Sequence, residues 1–179
     1  MSDVMQWCWV YQPEQQRLAI NIGEDELFVL PYKPQQLINI GFKQQLFSVE
    51  DAATYQQLVE ALEHYGAEVF KAELDDIALC ALACLRFGCP QMPQSWHFQK
   101  SDIESWDSQR TLCELNSGFD QGVFLILEID DEFASCMLLN PSMQISAIKR
   151  LKQFQVIKVL HNRLLPATID LAQSTQKLA

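Results

Sequence analysis

Two side chains near the middle of the chain could support covalent chemistry. Cys89 carries a thiol, and His97 follows it closely with an imidazole. A nucleophilic cysteine needs a base within hydrogen-bond reach and a third group that orients the base, a role that Asp102 could fill. The surrounding sequence matches no known nucleophile motif. A small thiol-dependent enzyme or ligand-binding domain built on Cys89 and His97 is therefore one alternative that these residues leave open.

The sequence contains none of the usual motifs for zinc binding, thiol redox chemistry or nucleotide binding. The six cysteines contain no C-x-x-C pair, and Cys80 and Cys84 lie in an apolar helical run, so the usual zinc and redox spacings are absent. We expect free thiols that pack as small hydrophobic groups, and no metal. The six glycines are scattered and form neither a dinucleotide-binding nor a phosphate-binding loop. We therefore predict no cofactor and no catalytic residue.

The net charge restricts the possible partners. At −10, the chain would be repelled by phosphate backbones and by anionic lipid, so we expect neither nucleic acid nor a membrane surface as the main partner. No apolar run reaches the ~18 residues of a membrane span, and residues 1–11 lack the basic and apolar regions of a signal peptide. We therefore expect a cytoplasmic protein.

A basic stretch interrupts this acidic background. No acidic residue lies between Glu132 and Asp170. Five of the thirteen basic residues fall there: Lys149, Arg150, Lys152, Lys158 and Arg163. A local patch of this kind suits docking to an acidic protein, because the remaining charges are screened over a Debye length of ~8 Å. The alternative is a solvated strand face whose lysines protect a sheet edge, and the residues alone leave both open.

The first half of the chain predicts an antiparallel meander followed by two helices. Residues 7–11, 17–22 and 27–30 alternate as strands do, with a further short strand expected at 37–40. Ser48 is a helix N-cap with acids after it, and the helical pattern runs to a glycine cap at Gly66. A second helix over 71–87 is apolar nearly all round, so we expect it to pack centrally against the meander. Exposed aromatics among Trp7, Trp9 and Trp96 could anchor a partner, although we expect core packing for at least two of them.

The pattern changes after a proline-containing stretch. Pro90 and Pro93 prevent a helix from continuing, which marks a boundary between unlike halves. Five short segments then alternate between turn signals: 110–115, 123–129, 133–139, 144–148 and 154–160. This spacing suggests an antiparallel sheet curled into a small barrel. We predict an α+β protein with an N-terminal α/β domain over 1–89, a β-barrel-like domain over 90–168 and a flexible tail over 169–179.

The run of residues 90–98, PQMPQSWHF, strongly resembles the corresponding segment of the ZapC family. Other segments agree in order and spacing: WCW at 7–9 with Tyr11, LF at 27–28, DAA at 51–53 with Tyr55, IK at 157–158, and NRL at 162–164 with Pro166. The resemblance implies a two-part cytoplasmic protein with a twisted β-barrel-like second domain. It also implies a non-enzymatic activity at the division site: binding the tubulin-like GTPase FtsZ, bundling its filaments laterally and stabilising the cytokinetic Z-ring.

The same resemblance implies which residues bind the partner. The family carries a pocket in its N-terminal domain with an apolar lining and a basic rim. Position by position, the lining falls on Ile20 and two rim positions fall on Cys89 and Gln94. Ile20 keeps the apolar character, whereas Cys89 and Gln94 are not basic. We therefore hypothesise that Lys149, Arg150 and Lys152 supply the positive charge.

Bundling requires two binding surfaces. They can lie one per domain on a monomer or one per subunit in a dimer. No heptad seam or self-complementary stripe is visible in the sequence, so we predict a monomer with two surfaces. A simple adaptor that binds FtsZ without linking filaments is a further alternative.

Overall fold

The computed structural model describes residues 4–65, 70, 72–104 and 106–169. The chain divides into two compact units: unit 1 comprises residues 1–64 and 74–90, and unit 2 comprises residues 65–73 and 91–179. The predicted α+β class is confirmed, since helices and several antiparallel sheets are present. The tail expected to be flexible lies outside the described residues from position 170 onward. None of the described helices combines the length and the apolar character that crossing a membrane would require.

Unit 1 contains a four-stranded antiparallel sheet in the order β3-β2-β1-β4. Its strands are β1 Cys8–Gln12, β2 Arg17–Asn21, β3 Leu27–Val29 and β4 Gln44–Leu46. The three strands of the predicted meander are therefore present. Sequence reasoning missed β4 because its residues are mostly polar and show no apolar alternation. The short strand expected at 37–40 is only a single bridge between Leu37 and Gly88.

Two helices complete unit 1, α1 Val49–Glu63 and α2 Leu74–Phe87. The predicted cap of α1 is confirmed, because the Ser48 hydroxyl accepts from the Asp51 N–H at 3.0 Å and the Asp51 carboxylate accepts from the Ser48 N–H at 3.0 Å. The cap predicted at Gly66 lies outside the described residues, as does Lys71, where α2 was predicted to begin. Residues 77–83 of α2 are all buried, which agrees with the expectation of a central helix.

Trp9 lies at the centre of the unit 1 core. Its ring stacks on Phe47 with centroids 4.8 Å apart and meets the edge of Phe87 at 4.9 Å. Its indole N–H donates to the buried Asp51 carboxylate at 3.1 Å. Ile20 is its partner on β2 across the sheet. One side chain thus joins β1 to the start of α1 and the end of α2.

Unit 2 is built on a five-stranded antiparallel sheet in the order β10-β7-β6-β5-β11, with a separate hairpin, β8-β9. The strands are β5 Leu112–Asn116, β6 Gln121–Ile129, β7 Phe133–Leu138, β8 Ser142–Gln144, β9 Arg150–Lys152, β10 Val156–Leu160 and β11 Leu165–Pro166. The described strands do not close into the barrel that the sequence suggested, since β10 and β11 remain edges. The hairpin instead covers the sheet, placing Met143 and Leu151 in the same core as Phe124 and Val159.

The segment predicted as a strand at 144–148 is mainly a turn. Gln144 ends β8, and the Ser146 hydroxyl accepts from the N–H groups of Ile148 at 3.3 Å and Lys149 at 3.0 Å. A serine that bonds the backbone two and three residues ahead favours a turn over a ladder. Ile148 is consequently at the tip of the hairpin and 99% exposed.

Candidate functional site

The predicted site residues fall in both units. Ile20 and Cys89 lie in unit 1, whereas Gln94, Lys149, Arg150 and Lys152 lie in unit 2. Ile20 is 0% exposed and sits on β2 between β1 and β3. Its side chain therefore offers no surface to a partner, and a contribution of Ile20 to binding would act through the sheet that it stabilises.

Cys89 is half-buried beside the loop that follows β3. Its N–H donates to the Gln36 carbonyl at 3.0 Å, and its thiol donates to the Gln35 carbonyl at 3.4 Å. A carbonyl oxygen can hold a thiol proton but cannot remove it, so this contact does not activate a nucleophile.

The proposed base and orienting group have other surroundings. The His97 ring lies 5.5 Å from the Trp96 ring and 6.4 Å from the Phe98 ring, measured between centroids. Partial burial, and then the Lys149 ammonium, lower the pKa of His97 below its usual value. Asp102 lines a cleft together with Glu132 and His161. The neighbours of His97 are thus aromatic rings, and Asp102 faces a separate cleft of unit 2.

Burial disfavours the thiolate form of three other cysteines. All six cysteines are free. Burial raises the pKa of the Cys80 thiol well above its usual value and that of Cys84 to about 11, so the reactive thiolate is disfavoured in both. Burial also raises the pKa of Cys113. Among the residues that the structure describes, no three His, Cys, Asp or Glu side chains are arranged to hold a metal ion.

The proline-containing stretch is fixed to unit 2 by its 94–95 segment. The Gln94 N–H donates to the Lys158 carbonyl at 2.8 Å, and the Ser95 hydroxyl accepts from the Leu160 N–H at 2.8 Å. The Arg163 guanidinium donates to the Ser95 carbonyl at 3.1 Å. The first two bonds occupy backbone groups of β10 on the side away from β7, which would otherwise be free to pair with another strand. The stretch thus covers part of a sheet edge.

Gln94 and Lys149 meet directly. The Lys149 ammonium donates to the Gln94 side-chain oxygen at 3.1 Å, although the two residues are 55 positions apart. No local pattern in the sequence indicates this pairing, because the resemblance points to Gln94 and the local charge points to Lys149. The bond unites two separately predicted positions on one surface of unit 2.

Arg150 and Lys152 point to the same side of the hairpin. Both are exposed, while Leu151 between them is buried, as the alternation of a strand requires. Arg150 donates to the Ser142 hydroxyl at 3.1 Å. Within the described part of the chain, no carboxylate forms an ion pair with Lys149, Arg150 or Lys152. We refer to these three residues as the basic hairpin.

Exposed apolar side chains flank the basic hairpin. Trp96 is 71% exposed and Met92 is 80% exposed, and each lies two residues from Gln94. Ile148, the neighbour of Lys149, is 99% exposed. Trp7 and Trp9 are buried at 8% and 0% exposure, so of the three candidate aromatics only Trp96 can anchor a partner. Sequence reasoning missed Met92 and Ile148, because residue type alone does not reveal exposure.

Comparison with known proteins connects both halves of the chain to one family. The model of the N-terminal domain of the cell-division protein ZapC matches residues 2–88, and that of its C-terminal domain matches residues 90–170. The chain is 54% identical to the cell division protein ZapC of Idiomarina loihiensis, over 98% of this chain and 96% of the relative. It is 32% identical to that of Ferrimonas balearica over 89% of each, and 31% identical to that of Aeromonas hydrophila over 95% and 94%.

Proposed function

Because the chain belongs to the ZapC family of cell-division proteins, we propose that it binds FtsZ, bundles its filaments laterally and stabilises the Z-ring. A role in cell division follows from the family itself. The proposed activity is non-enzymatic and is exerted in the cytoplasm at the division site. The carbonyl contact of the Cys89 thiol gives no support to the alternative of a thiol-dependent enzyme.

The basic hairpin is the observation that carries this proposal. Lys149, Arg150 and Lys152 are exposed and form no ion pair within the described residues, on a chain whose net charge is −10. Exposed charges without an ion-pair partner bind favourably to a protein surface of opposite charge. Such complementary charges speed association and set the orientation in which the two proteins dock. We therefore propose that the hairpin contacts an acidic region of FtsZ. Strand β9 pairs with β8 on one side, so the charge reversal described below also decides between this contact and the alternative of lysines that protect a strand edge.

Reversing the hairpin charge should weaken binding. We expect Arg150→Glu with Lys152→Glu to reduce the affinity for FtsZ filaments about tenfold or more, since two attractive contacts become repulsive. Cosedimentation with FtsZ and GTP at physiological salt measures this loss. Lys100→Glu with Arg110→Glu is the matched control, because both residues are exposed in unit 2 outside the basic hairpin and the net charge changes equally. Pelleting of the hairpin variant at the wild-type level would refute the proposed contact.

Bundling further requires a second surface. We propose that the protein is a monomer with one binding surface in each unit, so that two filaments can be held by one molecule. The candidate in unit 1 is the pocket that the resemblance places at Ile20 and Cys89, with Ile20 acting only through the sheet because its side chain is 0% exposed. A stable dimer in sedimentation equilibrium would contradict the monomer and place the second surface on another subunit. An adaptor that binds without bundling would pellet with FtsZ and leave light scattering unchanged.

A further inference from the structure

Unit 2 contains a cavity that the proposed contact with FtsZ does not use. Its volume is about 240 Å³. The described residues that line it all belong to unit 2 and include none of the predicted site residues; they are Phe70, Glu114, Val123, Leu139, Asn140, Thr168 and Ile169. We call this space the Glu114 cavity.

The walls of the Glu114 cavity are largely apolar. Four of the lining side chains are hydrocarbon groups, those of Phe70, Val123, Leu139 and Ile169. An apolar cavity of ~150 Å³ is large enough to hold benzene, whereas pockets for drug-sized ligands begin at roughly 300 Å³. The volume of the Glu114 cavity therefore suits a compound with one ring or one branched alkyl group and a short polar arm.

A buried carboxylate gives the cavity its polar character. Glu114 is 7% exposed. Its Oε1 accepts from the Gln121 side-chain amide at 3.1 Å, and its Oε2 accepts from the Thr168 hydroxyl at 2.8 Å and from the Thr168 N–H. A carboxylate offers about four acceptor positions. One position on Oε1 therefore remains for a ligand.

The partners of Glu114 are all neutral donors, so none of them balances its negative charge. Within the described part of the chain Glu114 forms no ion pair, and no lysine, arginine or histidine is found among the described residues along the cavity. Buried carboxylates are normally paired with a cation. A metal ion would need further ligands, and the described residues provide no group of three. The cation that fits is therefore an organic ammonium group.

We propose that the Glu114 cavity binds a small primary amine, whose ammonium group donates to Oε1 of Glu114 and whose apolar body packs against Phe70, Val123 and Ile169. The charge of Glu114 and the volume of the cavity together identify this class of ligand. The inference does not depend on binding to FtsZ. Because the ligand binds the folded protein, it should also raise the melting temperature as its concentration increases.

Three probes of matched size test the role of charge. Phenethylamine combines one ring with a two-carbon arm and an ammonium group, 2-phenylethanol replaces the ammonium with a hydroxyl, and 3-phenylpropionate carries a carboxylate. In isothermal titration calorimetry we expect the amine to bind about tenfold or more tightly than the alcohol, since a charge-assisted hydrogen bond is the stronger one. The carboxylate should not bind, because Glu114 repels it.

Two substitutions test the location of the site. Glu114→Gln should weaken phenethylamine binding about tenfold or more and remove its advantage over 2-phenylethanol. Val123→Phe leaves Glu114 in place and fills the cavity, so it should abolish binding of both compounds even if Glu114→Gln does not fold. Glu128→Gln is the matched control, because Glu128 is exposed on β6, the strand that carries Val123, and it should bind as wild type.

Several results would overturn the inference. Equal affinities of the amine and the alcohol for the wild type, or wild-type amine binding by Glu114→Gln, would show that Glu114 does not select the ligand. Binding of neither compound would show that the cavity is not a ligand site. Binding of phenethylamine to Lys177→Ala alone would assign the cavity to the chain's own C-terminal segment, in which Lys177 is the one lysine after Ile169. None of these results bears on cosedimentation with FtsZ, so the proposed function is tested separately.

Discussion

Trp9→Ala is expected to lower the free energy of unfolding by about 3–5 kcal/mol. The side chain is 0% exposed, and its removal would leave a cavity between Phe47 and Phe87, which pack on two sides of the ring. It would also leave the Asp51 carboxylate without its buried indole donor. Urea denaturation followed by circular dichroism measures the loss.

Trp96→Ala is the matched control for this loss, because it removes the same side chain from a surface. At 71% exposure, Trp96 makes little contribution to the core, and we expect a change within about 0.5 kcal/mol. The two variants should therefore differ in stability: Trp9→Ala lowers the free energy of unfolding, whereas Trp96→Ala leaves it almost unchanged. Equal losses of stability would contradict the assignment of Trp9 to the core and Trp96 to the surface.

Asp51→Ala is expected to destabilise unit 1 by about 2–4 kcal/mol. The Asp51 side chain is 3% exposed and accepts from both the Trp9 indole at 3.1 Å and the Ser48 N–H at 3.0 Å. Alanine would leave the indole N–H buried without an acceptor and would remove half of the capping box of α1. The Arg86 guanidinium at 3.7 Å adds little, because this side chain is partly exposed to solvent.

A double-mutant cycle separates these contributions. In a Trp9→Phe background the indole donor is already gone, so Asp51→Ala should be less destabilising there than in the wild type. If the two substitutions lowered the free energy of unfolding additively, the Trp9–Asp51 hydrogen bond would contribute nothing to stability. Glu50→Ala is the control, since Glu50 is exposed in the same first turn and its loss should remain below about 1 kcal/mol.

Short-range patterns in the sequence were sufficient to predict much of the secondary structure. The Ser48 cap and the strand alternation of β1 and β2 depend on neighbouring residues, and the structure contains both. The apolar middle of α2 correctly indicated a helix covered on several sides. Strand β4 could not be found in this way, because a polar strand forms by pairing its backbone with β1 and leaves no apolar pattern in the sequence.

The candidate site was less predictable, because its contacts join distant parts of the chain. Trp9 and Trp96 are the same residue type, and only the tertiary structure buries one and exposes the other. The Gln94–Lys149 bond spans 55 positions and has no counterpart in any local motif. The resemblance did identify Gln94 as a site position. It did not indicate that Gln94 contacts Lys149, which lies next to the exposed Ile148.

The fold also explains why an open sheet can look like a barrel in sequence. Strand β6 contains a register shift between Ile126 and Glu128, a feature that bends a sheet. The β8-β9 hairpin then covers the bent sheet with Met143 and Leu151. Alternating apolar and polar residues fit an open sheet and a closed barrel equally well, because in both folds one face of every strand is buried. Only the pairing of β10 and β11 distinguishes them.

Light scattering by FtsZ polymerised with GTP, with and without this protein, tests the central proposal most directly. A protein that bundles filaments should raise the scattering above that of FtsZ alone. The rise should be lost in the Arg150→Glu, Lys152→Glu variant, whereas the Lys100→Glu, Arg110→Glu variant should retain it. Scattering that stays at the level of FtsZ alone, at protein concentrations where the wild type cosediments with filaments, would contradict bundling and leave a protein that binds FtsZ without linking its filaments.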